Sequence, residues 1–192
     1  MTLFTLANNS GIRLNVLNFG RIITSLWVPD RQREAADIVL GHDLPESYLR
    51  DSAYFGAIIG PYASRIAGGT FSIGGEKYHL TKNEGHHHLH GGIKGFNSVY
   101  WEVTELQNPG SNSLILEYFS KDGEEGYPGN LKTNVFFSLN DSNELLIEYS
   151  PSSDKPTPLK LCQHSYFNQA GKGDVLGHIL QVTKTMYKFS NI

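Results

Sequence analysis

Apolar residues along this chain recur mostly at every second position: Ile12, Leu14 and Val16; Leu114 and Leu116 with Tyr118; Leu145 and Ile147 with Tyr149. A period of two places alternate side chains on one face of an extended backbone, so these runs are predicted strands with one buried face. Turn formers separate them at short intervals. Gly74-Gly75 lies inside the stretch from Phe71 to Tyr78, and Asn108-Pro-Gly-Ser111 and Asn140-Asp-Ser-Asn143 stand between later runs. Each reads as a hairpin or tight connection. No segment carries a long 3.6-residue apolar pattern with helix caps. The predicted class is an all-β fold, an antiparallel β-sandwich. No internal repeat, low-complexity tract or linker divides it, so residues 1–192 read as a single domain. The last residues, Met186-Tyr-Lys-Phe-Ser-Asn-Ile192, read as a strand leading onward. An open strand edge there would invite pairing, and the fold is expected to continue.

Composition agrees and narrows the function classes. Twenty glycines, eight prolines, ten tyrosines and ten phenylalanines suit strands and turns, and 39% hydrophobic residues over 192 positions can build a sizeable core. Sixteen Lys and Arg against nineteen Asp and Glu leave a net charge of -3, with no basic field to gather phosphates. Nucleic acid is excluded as an expected partner. No run approaches the roughly 18 apolar residues of a membrane helix, and residues 1–10 lack the order of a secretion signal. The expected compartment is the cytoplasm. The lone cysteine, Cys162, forms no intramolecular disulfide and suits a reducing environment.

Histidine is where the chemistry concentrates. Four of eight histidines fall in His86-His87-His88-Leu89-His90, followed directly by Gly91-Gly92. On a strand, His86, His88 and His90 would share one face and could hold a metal. Such a site would also need a carboxylate a few residues downstream, where this chain has Gly91-Gly-Ile-Lys-Gly95. His86 to His88 therefore read equally as polar loop residues, whereas glycines after His90 permit close approach of a backbone or ligand. A further histidine, His164, lies in Gln163-His-Ser-Tyr-Phe-Asn168, among aromatic and amide groups of the kind that stack on sugar rings and bond hydroxyls. Residue type alone leaves two readings open for it: a satisfied structural histidine, the commoner use, or a group that holds and protonates a polyol. Asp122-Gly-Glu-Glu-Gly-Tyr-Pro-Gly-Asn130 reads as a solvated acidic connection, and adjacent Glu124 and Glu125 point apart on an extended backbone. Gly68-Gly69 and Gly74-Gly75 lack the strand-to-helix context of a phosphate loop, and no Gly-x-Ser-x-Gly elbow occurs.

In order and spacing, Ser64-Arg-Ile-Ala-Gly-Gly-Thr-Phe71, Gly74-Gly-Glu-Lys-Tyr-His-Leu-Thr-Lys-Asn83, Leu89-His-Gly-Gly-Ile-Lys-Gly-Phe96 and Trp101 resemble the aldose 1-epimerase family. The series continues through Asp122-Gly-Glu-Glu-Gly-Tyr-Pro-Gly-Asn-Leu131, His164-Ser-Tyr-Phe-Asn168 and Gly173-Asp-Val-Leu-Gly-His178, nearly the whole chain. The resemblance implies a galactose mutarotase-like β-supersandwich with an open cleft for a free hexose such as galactose or glucose. It also implies an activity, exchange of α and β anomers by acid/base ring opening, with no cofactor and no metal. Carried onto this chain, the family's site residues are His164 as the acid, His90 beside the ring oxygen or C1, and Arg65 binding ring hydroxyls. Departures occur at Ser64, where the family has asparagine, at Pro61, where arginine is common, at His87 and at Gln169.

Family members are longer, and their later part supplies a sugar-binding aspartate and the glutamate base; neither motif occurs before Ile192. The expectation is an apparently truncated sandwich, whether a fragment, a truncated reading frame or a deliberate cut. It would be weak or inactive alone and prone to self-association through its uncovered edge. Two competing readings are a non-catalytic carbohydrate-binding module and a metal-dependent β-barrel enzyme using the His86 to His90 cluster.

Overall fold

The computed structural model describes residues 1–106 and 112–181. Its first sheet is antiparallel and runs in chain order through β1 (Leu3–Ala7), β2 (Arg13–Leu17), β3 (Ile23–Pro29) and β4 (Ala35–Asp37). Five short strands follow: β5 (Ile58–Ile59), β6 (Arg65–Ile66), β7 (Thr70–Ile73), β8 (Glu76–His79) and β9 (His88–Leu89). The second antiparallel sheet comprises β10 (Glu102–Leu106), β11 (Ser113–Ser120), β12 (Leu131–Leu139) and β13 (Leu145–Ser153). The last described strand, β14 (Cys162–Gln163), returns to pair with β5.

The alternation read from sequence is what joins the two sheets. Along β12 the buried positions are Leu131, Thr133, Val135, Phe137 and Leu139, with every intervening residue at least partly exposed. Leu6, Leu14 and Val16 of the first sheet share one core with Leu114, Leu116 and Val135 of the second, all fully buried. Burying a side chain of this size contributes roughly 1.5–3 kcal/mol. The inward residues of β13, Leu145, Ile147 and Tyr149, are only half-buried, because β13 is an edge strand.

Turn chemistry follows the expectation. Gly74 and Gly75 take φ of 62° and 86° between β7 and β8, the left-handed pair of a two-residue hairpin that glycine adopts without strain. The 140–143 turn joins β12 to β13. The expected turn at residues 108–111 and the expected strand at 186–192 lie outside the described residues.

One core residue breaks the apolar pattern. Arg21 is fully buried, with its guanidinium carbon 3.0 Å from the centroid of the Trp101 ring, and Nε, Nη1 and Nη2 have no hydrogen-bond partner among the described residues. Burial lowers its pKa well below the ordinary arginine value, opposed by Tyr149. A desolvated cation–π contact contributes roughly 2 kcal/mol, whereas each unpaired buried donor costs about 1–3 kcal/mol. The balance is unfavourable, and an apolar chain of similar length should do better. Arg21→Met is expected to raise the urea midpoint, by an amount equivalent to about 1 kcal/mol or more. A fall in the midpoint would show that the guanidinium has an acceptor.

Candidate functional site

Two miniature antiparallel pairs hold the candidate histidines. β6 pairs with β9 through Arg65 opposite Leu89 and Ile66 opposite His88, and β5 pairs with β14 through Ile58 opposite Gln163 and Ile59 opposite Cys162. His90 follows β9 directly and His164 follows β14. Ile58 and Ile59 are fully buried, so β5 roots the β5–β14 pair in the core.

The backbone turns sharply at His90. Its φ is 55°, that of the facing Ser64 is 78°, and the two residues bond reciprocally: His90 N–H donates to Ser64 O at 3.2 Å, and Ser64 N–H donates to His90 Nδ1 at 2.9 Å. Left-handed backbone in non-glycine residues costs about 1–3 kcal/mol each and persists only where surroundings enforce it. Because Nδ1 accepts, a neutral His90 carries its proton on Nε2. Burial lowers its pKa, with His164 and Arg65 adding to the shift and Glu84 opposing it. His90 is therefore an uncharged donor near neutral pH.

His164 is tied down by its backbone, N–H donating to Ala57 O at 2.9 Å, and among the described residues neither ring nitrogen has a hydrogen-bond partner. The His90 and His164 ring centroids lie 5.5 Å apart. Tyr54 packs 4.9 Å from His90 and 5.7 Å from His164, and Tyr166 lies 5.3 Å from His164. Burial and nearby Glu84 push the Tyr54 phenol up, so it stays protonated. Arg65 is exposed at the rim, where Nε and Nη2 donate to the two oxygens of Glu84, the latter at 2.6 Å. This bond raises the pKa of Arg65 and lowers that of Glu84.

The three predicted site residues thus come together, but several neighbours differ from expectation. His86, His88 and His90 share no face, since β9 covers only His88 and Leu89 before the chain reverses. His88 is buried, with Nδ1 at 2.6 Å from Thr81 O and Nε2 at 2.7 Å from the Tyr127 hydroxyl. Both nitrogens are engaged, so His88 is not disposed to ligate, and no cluster of metal-ligating side chains occurs among the described residues. The amides flanking His164 serve the backbone rather than a ligand: Gln163 Nε2 donates to Gly56 O at 2.9 Å, and Asn168 Nδ2 donates to Lys172 O at 3.2 Å and Gly173 O at 3.1 Å. The acidic turn is no solvated connection either. Glu124 accepts the Tyr118 hydroxyl at 2.9 Å, and Glu125 accepts Lys94 N–H at 2.7 Å.

Tyr54 and Glu84 were missed. No spacing marks either, because each reaches the site through contacts distant in sequence. A cavity of about 420 Å³ between the sheets, lined by Ile12, Leu26, Val28, Leu139 and Leu145 among others, includes none of these residues.

Similarity to known proteins bears on this geometry. A family model described as aldose 1-epimerase matches residues 2–191. The galactose mutarotase of Bos taurus is 46% identical over 162 residues, covering 84% of this chain and 46% of that protein. The aldose 1-epimerase of Escherichia coli (strain K12) is 35% identical over 186 residues, covering 96% of this chain and 53% of that protein. Among solved structures, the GalM/aldose epimerase homologue from C. elegans superposes with a TM-score of 0.81 at 33% identity, covering 87% of this chain and 50% of that one. The chain spans about half the length of the curated relatives it matches.

The His88 network carries a pH consequence. Thr81 O can only accept, so Nδ1 of His88 holds the proton and Nε2 accepts from Tyr127. Burial lowers the His88 pKa, with the Thr81 bond and Glu125 opposing, and His90 is shifted the same way. The unfolded chain takes up protons below about 6.5 that the folded chain refuses, so stability falls with pH from there until the folded values are passed. Urea midpoints measured between pH 7.5 and 5 should drop, and His88→Gln should remove part of the slope. An unchanged slope would show that His88 is not the group responsible.

Proposed function

The chain belongs to the aldose 1-epimerase family, and on that premise we propose that it takes part in exchanging the anomers of a free hexose, with His164 and His90 as the proton-handling and sugar-holding pair. The carrying observation is the juxtaposition of the two imidazoles, 5.5 Å between centroids, walled by Tyr54 and Tyr166 with Arg65 at the rim. Anomer exchange opens a cyclic hemiacetal: the C1 hydroxyl loses a proton and the ring oxygen gains one. His164, whose ring nitrogens have no hydrogen-bond partner among the described residues, would deliver the proton to the ring oxygen. His90, held neutral with N–H at Nε2, donates a hydrogen bond to the sugar near the ring oxygen or C1. Arg65 offers ring hydroxyls the N–H groups that Glu84 leaves unused. Rotation about C1–C2 followed by reclosure with reversed roles yields the other anomer. The protons lost and gained balance, and no electrons are exchanged.

A partner base must take the C1 proton. Glu84, the carboxylate beside the histidines, has both oxygens engaged by Arg65. The family's later aspartate and glutamate motifs do not occur within residues 1–192. A positioned acid or base typically contributes about 10²–10⁴-fold, so this chain alone should be a feeble mutarotase. The engaged Glu84 also supports the second reading, a module that binds hexose without converting it.

Polarimetry on freshly dissolved α-galactose separates the two. The expected result is slow mutarotation above the buffer rate, abolished by His164→Gln. Full family-like turnover would overturn the argument about the base, binding without any excess rate would select the module, and neither binding nor rate would end the sugar reading. We also propose that the half-buried inner residues of β13, the edge strand of its sheet among the described residues, promote self-association. Sedimentation should reveal dimers or larger species at micromolar concentration. A monodisperse, cooperatively melting monomer refutes this.

A further inference from the structure

Outside the histidine pair, the Glu125 carboxylate holds two adjacent backbone amides of the turn that follows His90. It lies in the 122–130 turn with left-handed backbone, φ 51°. Its Oε1 accepts Lys94 N–H at 2.7 Å, its Oε2 accepts Ile93 N–H at 3.1 Å, and its backbone carbonyl accepts Thr81 N–H at 3.1 Å. One residue thereby ties the segment after β8 to the turn that follows His90.

That turn is shaped to receive it. Gly92 has φ of +99°, and a Cβ there would lie 2.1 Å from Glu125 Oε2. On the other side, a Cβ on Gly91 would lie 1.8 Å from Gly60 O, and the same carbonyl accepts Phe96 N–H at 3.0 Å. The 91–95 turn is therefore gripped between the Gly60 carbonyl and the Glu125 carboxylate, and the residue it starts from is His90. Two adjacent N–H groups make a small anion nest, and a carboxylate satisfies both where a side-chain amide has one oxygen. Hydrogen bonds to a charged acceptor are the stronger kind, which suits a clamp at a half-exposed position.

We propose that Glu125 is a positioning residue for His90: by holding the Ile93 and Lys94 N–H groups it fixes the 91–95 turn and, through it, the tautomer and orientation of the imidazole. The proposal rests on reading His90 as a sugar-contacting group, but its own readout is independent of sugar.

Nuclear magnetic resonance of the isotopically labelled 192-residue chain tests it. In the unsubstituted protein, acid titration should move the Ile93 and Lys94 amide shifts together with the Glu125 carboxyl carbon. In Glu125→Ala, exchange of these two amides should quicken by about tenfold or more, the loss expected for a charge-assisted hydrogen bond. The His90 ring should pass from the single Nε2–H tautomer to a mixture while the cooperative melt persists. Glu125→Gln, with one acceptor oxygen, should fall between. Unchanged exchange and tautomer in both variants would overturn the proposal, as would faster exchange with the His90 ring unaffected. If the alanine variant does not fold, the glutamine variant and the titration decide, and a titration that leaves Ile93 and Lys94 unmoved refutes the clamp. Galactose added to the unsubstituted protein reports separately: shifts at His90 uphold its contact with sugar. Their absence, with the tautomer still altered in Glu125→Ala, leaves the clamp standing and removes the sugar reading.

Discussion

The hydrogen bond from Ser64 N–H to His90 Nδ1 sets the chemical character of the cleft. It exists because β6 and β9 are so short that both chains leave the pair at once, each through a left-handed residue, and cross where the ring can reach the opposing amide. Without it the imidazole could present either nitrogen outward. With it, Nε2 carries hydrogen, and the partial burial of the ring keeps it uncharged. The neighbouring His164 is anchored by its main chain, and among the described residues its ring nitrogens have no hydrogen-bond partner. One histidine locked and one open is the asymmetry that the proposed ring opening would use, with one group holding the sugar while another moves a proton.

Much of the fold could be read from the chain because its long strands obey a strong local rule. In β12 burial alternates along the whole strand, and slipping the register by one residue would turn the core face outward. The Gly74-Gly75 hairpin was equally readable, since its geometry demands two positive φ angles. The strands that build the site offer no such signal. β5, β6, β9 and β14 have two residues each, too few for a period, and they pair across long stretches of sequence. The expected common face for His86, His88 and His90 failed for this reason: the strand ends at Leu89, and the chain turns before a third histidine can line up.

Side-chain identity told less than it promised around His164. An amide beside a histidine looks like a group for sugar hydroxyls, yet Gln163 is spent on the distant Gly56 carbonyl and Asn168 on carbonyls of its own turn. Buried or half-buried backbone must find partners, and in short irregular segments the nearest polar side chains supply them. The same demand converts the acidic 122–130 turn from solvated loop to clamp. Arg65, His90 and His164 could be carried over from family motifs because those motifs keep each residue with its own local backbone, but Tyr54 and Glu84 reach the site only through tertiary contact.

The pairing of Arg65 with Glu84 has an electrostatic consequence for the kind of ligand the groove suits. A lone guanidinium beside two imidazoles would make a cationic rim that favours anions, and it would suppress protonation of His90 further than burial already does. The carboxylate offsets that charge: Glu84 works against the downward shift at His90 while taking only the Nε–H and one Nη2–H of the arginine. What remains is a set of directed N–H donors with little net charge. Hydroxyl groups of an uncharged sugar are recognised by the direction of donors and acceptors, not by a field. On the proposed hexose reading, donors so arranged would discriminate by geometry, consistent with a chain whose overall charge is only -3.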